Sequence, residues 1–224
     1  MEPQGEQADF EMRHWDGSDD ADADEGKWGE LLELYAEIDG EKKWSYLRGP
    51  GVALVRGDGE HNVDQVRIML VGEGPGAVDN GNRKPFSGIN GELLEQCLGL
   101  ARLRRDQCFV TNVLKYRSRD GRAPGLGEAL MAQDALRKEW AIVSPLLTIA
   151  VGAVAHRLLN PNECALPNFP HGEIWNFTGR SDLYVTSMLP PSFGLRYPRH
   201  RAPIEESWVR LGKMIDDLRI REVL

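Results

Sequence analysis

Cysteine is scarce in this chain, and long apolar runs are missing from it. Only Cys97, Cys108 and Cys164 occur in 224 residues, too few and too widely spaced for a disulfide framework or a CxxC metal site. No stretch approaches the ~18 uncharged apolar residues of a membrane helix. The amino terminus is polar and acidic, without the basic-then-apolar order of a secretory signal. These absences predict a soluble, cytoplasmic protein of a reducing compartment, with no membrane partner. Apolar residues make up 41% of the chain, enough for one sizeable core, so a monomer with one main domain is expected.

Charge is unevenly placed. Residues 1–26 hold ten acids against Arg13 alone, and the rest of the chain carries 25 acids and 26 bases. The formal net charge of -8 therefore belongs to an acidic arm, predicted disordered, ahead of a near-neutral domain over residues 27–224. Overall acidity is no argument against an anionic partner.

Beyond the arm, Trp28, Leu31, Leu32, Tyr35 and Ile38 share one face of a predicted helix. Four short apolar strands follow: Val66–Val71, Cys108–Val113, Leu146–Val151 and Leu183–Met188. Helices are predicted between them over Gly91–Arg102, Gly127–Val143 and Ala153–Leu159, and a last one begins near Pro203. Ala77 to Pro85 holds Asp79-Asn80-Gly81-Asn82 and reads as loop. Short apolar strands alternating with helices predict an α/β domain, three layers α/β/α around a mainly parallel four-stranded sheet. In such a sheet ligands bind beyond the carboxyl ends of the strands. Gly72–Gly76, Asn112–Arg117 and Leu189–Arg196 all fall there.

Gly72-Glu73-Gly74-Pro75-Gly76-Ala77 nominally fits a dinucleotide fingerprint. That fingerprint requires a helix to open at once so its N-terminus can hold a pyrophosphate, and the predicted loop speaks against it. A nucleotide-utilising α/β enzyme remains an alternative from another class.

The same segment, followed by Pro85-Phe86-Ser87-Gly88-Ile89-Asn90-Gly91-Glu92-Leu93-Leu94, resembles the first motif of the uracil-DNA glycosylase superfamily. It is most similar to the version of the thermostable iron–sulfur class, GEAPG…PFVGxAGxLL. Thr111-Asn112-Val113-Leu114-Lys115-Tyr116-Arg117 resembles that class's TNVVKCR, and Pro191-Ser192-Phe193-Gly194-Leu195-Arg196 its HPSxxLR. The ordered set spans Ile68 to Arg196. It implies the superfamily's fold and the release of uracil or a related pyrimidine from DNA, which requires the base to be flipped from the stack.

The resemblance also implies roles. Glu73 and Asn112 would be catalytic, Glu73 by orienting water or offsetting charge on the sugar. Asn112 would also read the base edge, since an amide offers donor and acceptor side by side. Gly74, Pro75, Gly76, Asp79 and Phe86 would complete the base pocket, with Phe86 stacking on the ring. Gly76 stands where stringent members carry a tyrosine that excludes thymine, which implies tolerance of 5-modified pyrimidines. Independently of the resemblance, Lys115-Tyr116-Arg117-Ser118-Arg119 and Arg196-Tyr197-Pro198-Arg199-His200-Arg201 are basic clusters with an aromatic residue, just beyond cleft-side strand ends. Lys115, Arg117, Ser192, Leu195, Arg196, Arg199 and His200 are expected to contact DNA, with Leu195-Arg196 resembling the segment that enters the duplex as an apolar wedge.

Two departures stand out. Four cysteines hold the class's cluster, two before the first motif, one in KCR and one in the next helix. Here Tyr116 takes the KCR position, and neither the upstream segment nor the helix around Met131 has a cysteine. No cluster, metal or other cofactor is expected. Pro190 stands where the second motif has its histidine, removing a donor to the base oxygen. His200, or less readily His171, is a candidate substitute. The loss also leaves open a weakened or inactive DNA-binding member of the same fold.

Overall fold

Ile68–Gly72 (β1) is buried along its whole length, as an apolar run inside a covered parallel sheet should be. The computed structural model describes residues 26–59, 63–159, 171–177 and 180–220. The acidic arm before Gly26 and Cys164 lie outside them. Cys108–Asn112 (β2) and Leu147–Val151 (β3) flank β1 in parallel and are equally buried. Arg180–Met188 (β5) runs parallel to β3, and Trp175–Phe177 (β4) closes the far edge antiparallel to β5. The order is β2-β1-β3-β5-β4, five strands where four were expected. The additional strand has three residues, and its Trp175 is 40% exposed at the sheet edge, so it carries no buried apolar run to read.

Alternate residues of a strand point to opposite faces. Met69 and Val71 of β1 pack on one side with Lys27–Gly40 (α1), Leu126–Val143 (α4) and Ala153–Leu159 (α5). Ile68 and Leu70 pack on the other with Ile89–Leu100 (α3) and Arg201–Ile220 (α7). The three-layer expectation therefore holds. In α1 the buried face is Leu31, Leu34, Tyr35 and Ile38, while Leu32 is exposed. The i, i+3, i+4, i+7 spacing from Leu31 selects Leu34 over Leu32. The outer edge of β2 is covered: Val55 N–H donates to Lys115 O, and Asp58 exchanges backbone hydrogen bonds with Val110.

Two short helices were not expected. Ala77–Asn82 (α2) opens directly after Gly76, where a loop was predicted. The Asp79 carboxylate accepts from Gly76 N–H at 3.0 Å and supplies the cap that the apolar pattern could not reveal. Pro191–Arg196 (α6) starts on a proline, a residue suited to a first turn.

Among the described residues no helix is long and apolar enough to cross a membrane. The order places β2 and β3 on opposite sides of β1, so the chain reverses direction across the sheet at β1. A crevice is expected at the carboxyl ends beside it.

Candidate active site

The crevice is a cleft of about 260 Å3 at those carboxyl ends. Glu73 enters from the end of β1, Asn112 from β2, Val151 from β3, and Pro190 from the turn after β5. Gly74, Pro75, Gly76 and Asp79 form one wall with Phe86 and Asn90, and Ser192 and Arg196 of α6 form another.

Asn112 is 3% exposed. Its Nδ2 amide is buried and has no hydrogen-bond partner among the described residues. A buried amide normally finds a partner, so an unpaired donor lining a cleft is what a ligand carbonyl would satisfy. Val113 N–H donates to Gly72 O and Leu114 N–H to Glu73 O, locking the two strand ends together. Gly72 is required between them. A Cβ there would overlap the Asn112 Oδ1 atom and lie 2.5 Å from the Phe86 ring.

Phe86 itself has φ +50, a left-handed conformation uncommon for a bulky residue and characteristic of functional sites. Arg105 holds it, donating to Phe86 O at 3.1 Å and Pro85 O at 2.6 Å. Two of its guanidinium nitrogens are fixed in turn on Asp58 Oδ2. Asp79 adds a second tie, accepting from Ser87 N–H at 2.8 Å.

Glu73 Oε1 accepts from Val154 N–H at 3.0 Å, which sets the carboxylate against the start of α5. Gly152, with φ +102, makes room for it; a Cβ would come within 2.6 Å of the carboxyl carbon.

Other predicted contacts fall elsewhere. Lys115 does not face solvent and cannot touch a phosphate: its side chain is buried in an ion pair with Glu139. The strand end turns it inward, where a glutamate from α4 awaits it. Leu195 is 53% exposed beside Arg196, and Arg199 is exposed. Arg117 is half-buried and outside the cleft lining. His200 packs on Phe193 and Tyr197, with ring centroids 5.1 and 6.3 Å away. His171 approaches Ser187 O at 3.1 Å. Neither histidine is among the residues that line the cleft.

Sequence reasoning did not find the third wall, Ser118 with Gly121 to Pro124. Arg122 there pairs with Glu128 at 2.6 Å. The Arg119-Asp120-Gly121-Arg122 turn after a cleft-side strand was its available signal. The structure also changes the ground for setting aside a dinucleotide. A helix does follow Gly76, but the Asp79 carboxylate accepts from the N–H of Gly76, the residue that caps its start, placing negative charge where a pyrophosphate would sit.

The described cysteines do not fit an iron–sulfur cluster. Tyr116 is buried in the core on the α1/α4 side of the sheet and donates to Asp39 Oδ1 at 2.5 Å. Cys97 and Cys108 are buried in the core on the opposite side. Burial pushes the Cys97 thiol up to about 11 and the Cys108 thiol up to about 12. Among the described residues, no group of three or more His, Cys, Asp or Glu is gathered to hold a metal. Iodoacetamide at pH 7 should leave both thiols intact in the folded protein and modify them on denaturation. Rapid native labelling, read by mass spectrometry, would contradict this placement.

The family model described as Uracil DNA glycosylase superfamily matches residues 59–212. The chain belongs to the uracil-DNA glycosylase superfamily. It is 35% identical over 156 residues to the type-4 uracil-DNA glycosylase of Sulfurisphaera tokodaii, covering 67% of this chain and 70% of that protein. Matches to the type-4 uracil-DNA glycosylases of Pyrobaculum aerophilum and Thermotoga maritima are shorter. They are 34% identical over 105 residues, 47% of this chain, and 36% over 97 residues, 43% of it. The chain spans about half the length of these two relatives, 52% and 50%. The superfamily match takes in all three cleft-forming motifs, from Gly72 through Arg196.

Proposed function

We propose that this superfamily member is a DNA glycosylase that hydrolyses the N-glycosidic bond of uracil or a related pyrimidine in DNA. The observation that carries the proposal is the buried, unpartnered Asn112 amide lining a cleft between Phe86 and Glu73. A flipped pyrimidine stacks on Phe86 and accepts from Asn112 Nδ2 at a ring carbonyl. As the bond from sugar to base breaks, its electron pair leaves with the base, and the same amide stabilises the charge gathering on that oxygen. Glu73 offsets the positive charge on the sugar and orients the water that adds there, and the proton that water loses neutralises the departed base anion, directly or through solvent. No step passes through a metal or cluster. Ser192, Arg196 and Arg199 would hold the backbone, with Leu195 entering the space left by the base. The test is base release from an oligonucleotide with one deoxyuridine, single- and double-stranded, read by alkali cleavage. Cleavage dependent on the deoxyuridine supports the proposal, and its absence at enzyme excess overturns it.

One observation favours a second, weakened reading. Pro190 lines the cleft and offers no donor where the resembling class has histidine. Loss of one such donor typically costs on the order of 10²–10³ in rate, so single-turnover release slower than a histidine-bearing relative by that factor is expected.

Gly76 bears on which base is taken. A Cβ placed there meets only Asp79, at 3.7 Å or more, so the wall is open. Release of 5-hydroxymethyluracil is expected at a rate comparable to uracil. Gly76→Tyr should depress it by roughly 10–100-fold relative to uracil, the scale of a lost or gained group in a pocket. An oligonucleotide that yields uracil but never 5-hydroxymethyluracil would refute the open-wall account.

A further inference from the structure

Lys115 is buried, yet each of its ammonium protons has an acceptor. It donates to Thr111 Oγ1 at 2.6 Å, to Asn112 O at 2.7 Å and to Glu139 Oε2 at 2.5 Å. Three donors meet three acceptors, which is the full capacity of the group. Glu139 is completely buried in α4. It also accepts from Thr111 Oγ1 at 3.0 Å and from the Tyr35 hydroxyl at 2.5 Å, and that hydroxyl accepts from Gly57 N–H at 2.8 Å. The network ties α1, α4 and the segment along the β2 edge to Asn112, whose buried amide has no partner among the described residues.

Such a pair is a poor way to gain stability. The cost of desolvating two ions commonly matches or exceeds their attraction, and apolar replacements of similar volume are often as stable. What the ammonium does here that a methyl group cannot is grip the Asn112 carbonyl. The peptide that follows Asn112 is held on its N–H side, where Val113 N–H donates to Gly72 O, and the ammonium holds its carbonyl side, so the backbone carrying the amide is fixed from both sides.

We infer that Lys115, held by Glu139, is the positioning residue of Asn112, fixing the backbone from which the cleft-lining amide projects. This inference rests on the glycosylase reading for its catalytic consequence, but its structural content does not. Lys115 touches no nucleic acid. Its loss should therefore slow the chemical step and leave DNA affinity alone.

The test is the double variant Lys115→Met/Glu139→Gln, which removes both charges while leaving an amide to serve Thr111 and Tyr35. Single-turnover uracil release should fall roughly 10–100-fold, the scale of a sub-ångström to ångström misplacement of a catalytic group. The Kd for the same oligonucleotide and its salt dependence should stay unchanged. A phosphate-contacting lysine would instead weaken binding and lower the salt slope by about one, and that result would overturn the inference. So would undiminished release by the folded double variant. In parallel, the Asn112 side-chain NH2 resonances in a 15N–1H spectrum should shift or broaden in the free double variant. If the unmodified protein releases no base, the function reading fails, and this spectrum alone decides the inference: unmoved Asn112 resonances refute it.

Discussion

Asn112→Ala should lower single-turnover uracil release by about 10²–10³-fold, the loss typical of one preorganised donor to a developing oxyanion. The fold should survive the change. The Asn112 Nδ2 atom has no hydrogen-bond partner to lose among the described residues, and its Oδ1 atom sits in the gap left by Gly72. Truncation thus removes an unpaired buried donor, which is a cost to the folded state rather than a support. Thermal stability equal to or above that of the unmodified protein, together with lost release, is the expected combination. A variant that keeps its rate would mean that the base oxygen is served by another group of the cleft. A variant that merely unfolds would mean that the amide is structural.

Glu139→Ala should have the opposite signature, a large loss of stability. Removing the carboxylate leaves the Lys115 ammonium buried with only neutral acceptors, Thr111 Oγ1 and Asn112 O. It also strands the Tyr35 hydroxyl. Breaking a buried pair from one side typically costs about 3–5 kcal/mol. For a domain of this size that is a drop in Tm on the order of 10 °C. The pH dependence gives a second check. Burial already holds Lys115 below the ordinary lysine range, and Glu139 partly offsets it. Without Glu139 the depression deepens, so the unfolded chain binds more protons than the folded one over a wider interval. Stability rises with pH wherever the unfolded state binds more protons. The deficit of Glu139→Ala should therefore shrink as pH climbs toward about 10, where an unperturbed lysine loses its charge. Denaturant melts at several pH values would show it, and a deficit independent of pH would mean that Lys115 is not the group left exposed to the loss.

The two variants separate what was legible in the chain from what was not. The strands β1, β2 and β3 could be read because a parallel strand covered on both faces is a continuous apolar run, as Ile68–Gly72 is. The convergence of Gly72–Gly76, Asn112–Arg117 and Leu189–Arg196 on one cleft followed from their places just beyond such runs, whereas Phe86 was legible only through the family resemblance. Edge strand β4 had no such run. Helices α2 and α6, six residues each, are too short for a period to develop. One is defined by the Asp79 side chain reaching back to Gly76, the other by a proline in its first turn.

Lys115 misled because a basic residue in a basic cluster reads as surface, and its partner lies 24 residues away in sequence. The signal was on the partner. Leu136, Glu139 and Val143 share the buried face of α4, and a glutamate amid apolar neighbours implies a buried cation somewhere. Arg122 escaped notice for a simpler reason: it follows the resembling motif rather than lying within it. Pro190, by contrast, was legible as a departure, and it lines the cleft, whereas His171 and His200 are not among the lining residues.

Chromatographic detection of the free base tests the central claim most directly. The protein, in excess over a single-stranded oligonucleotide carrying one deoxyuridine, should liberate one equivalent of uracil and leave an intact abasic strand, while Asn112→Ala liberates on the order of a hundredth or less at the same time point. An oligonucleotide that is bound but retains its base after prolonged incubation with the unmodified protein would contradict the account, and would mark this cleft as one that grips DNA without cutting the bond to the base.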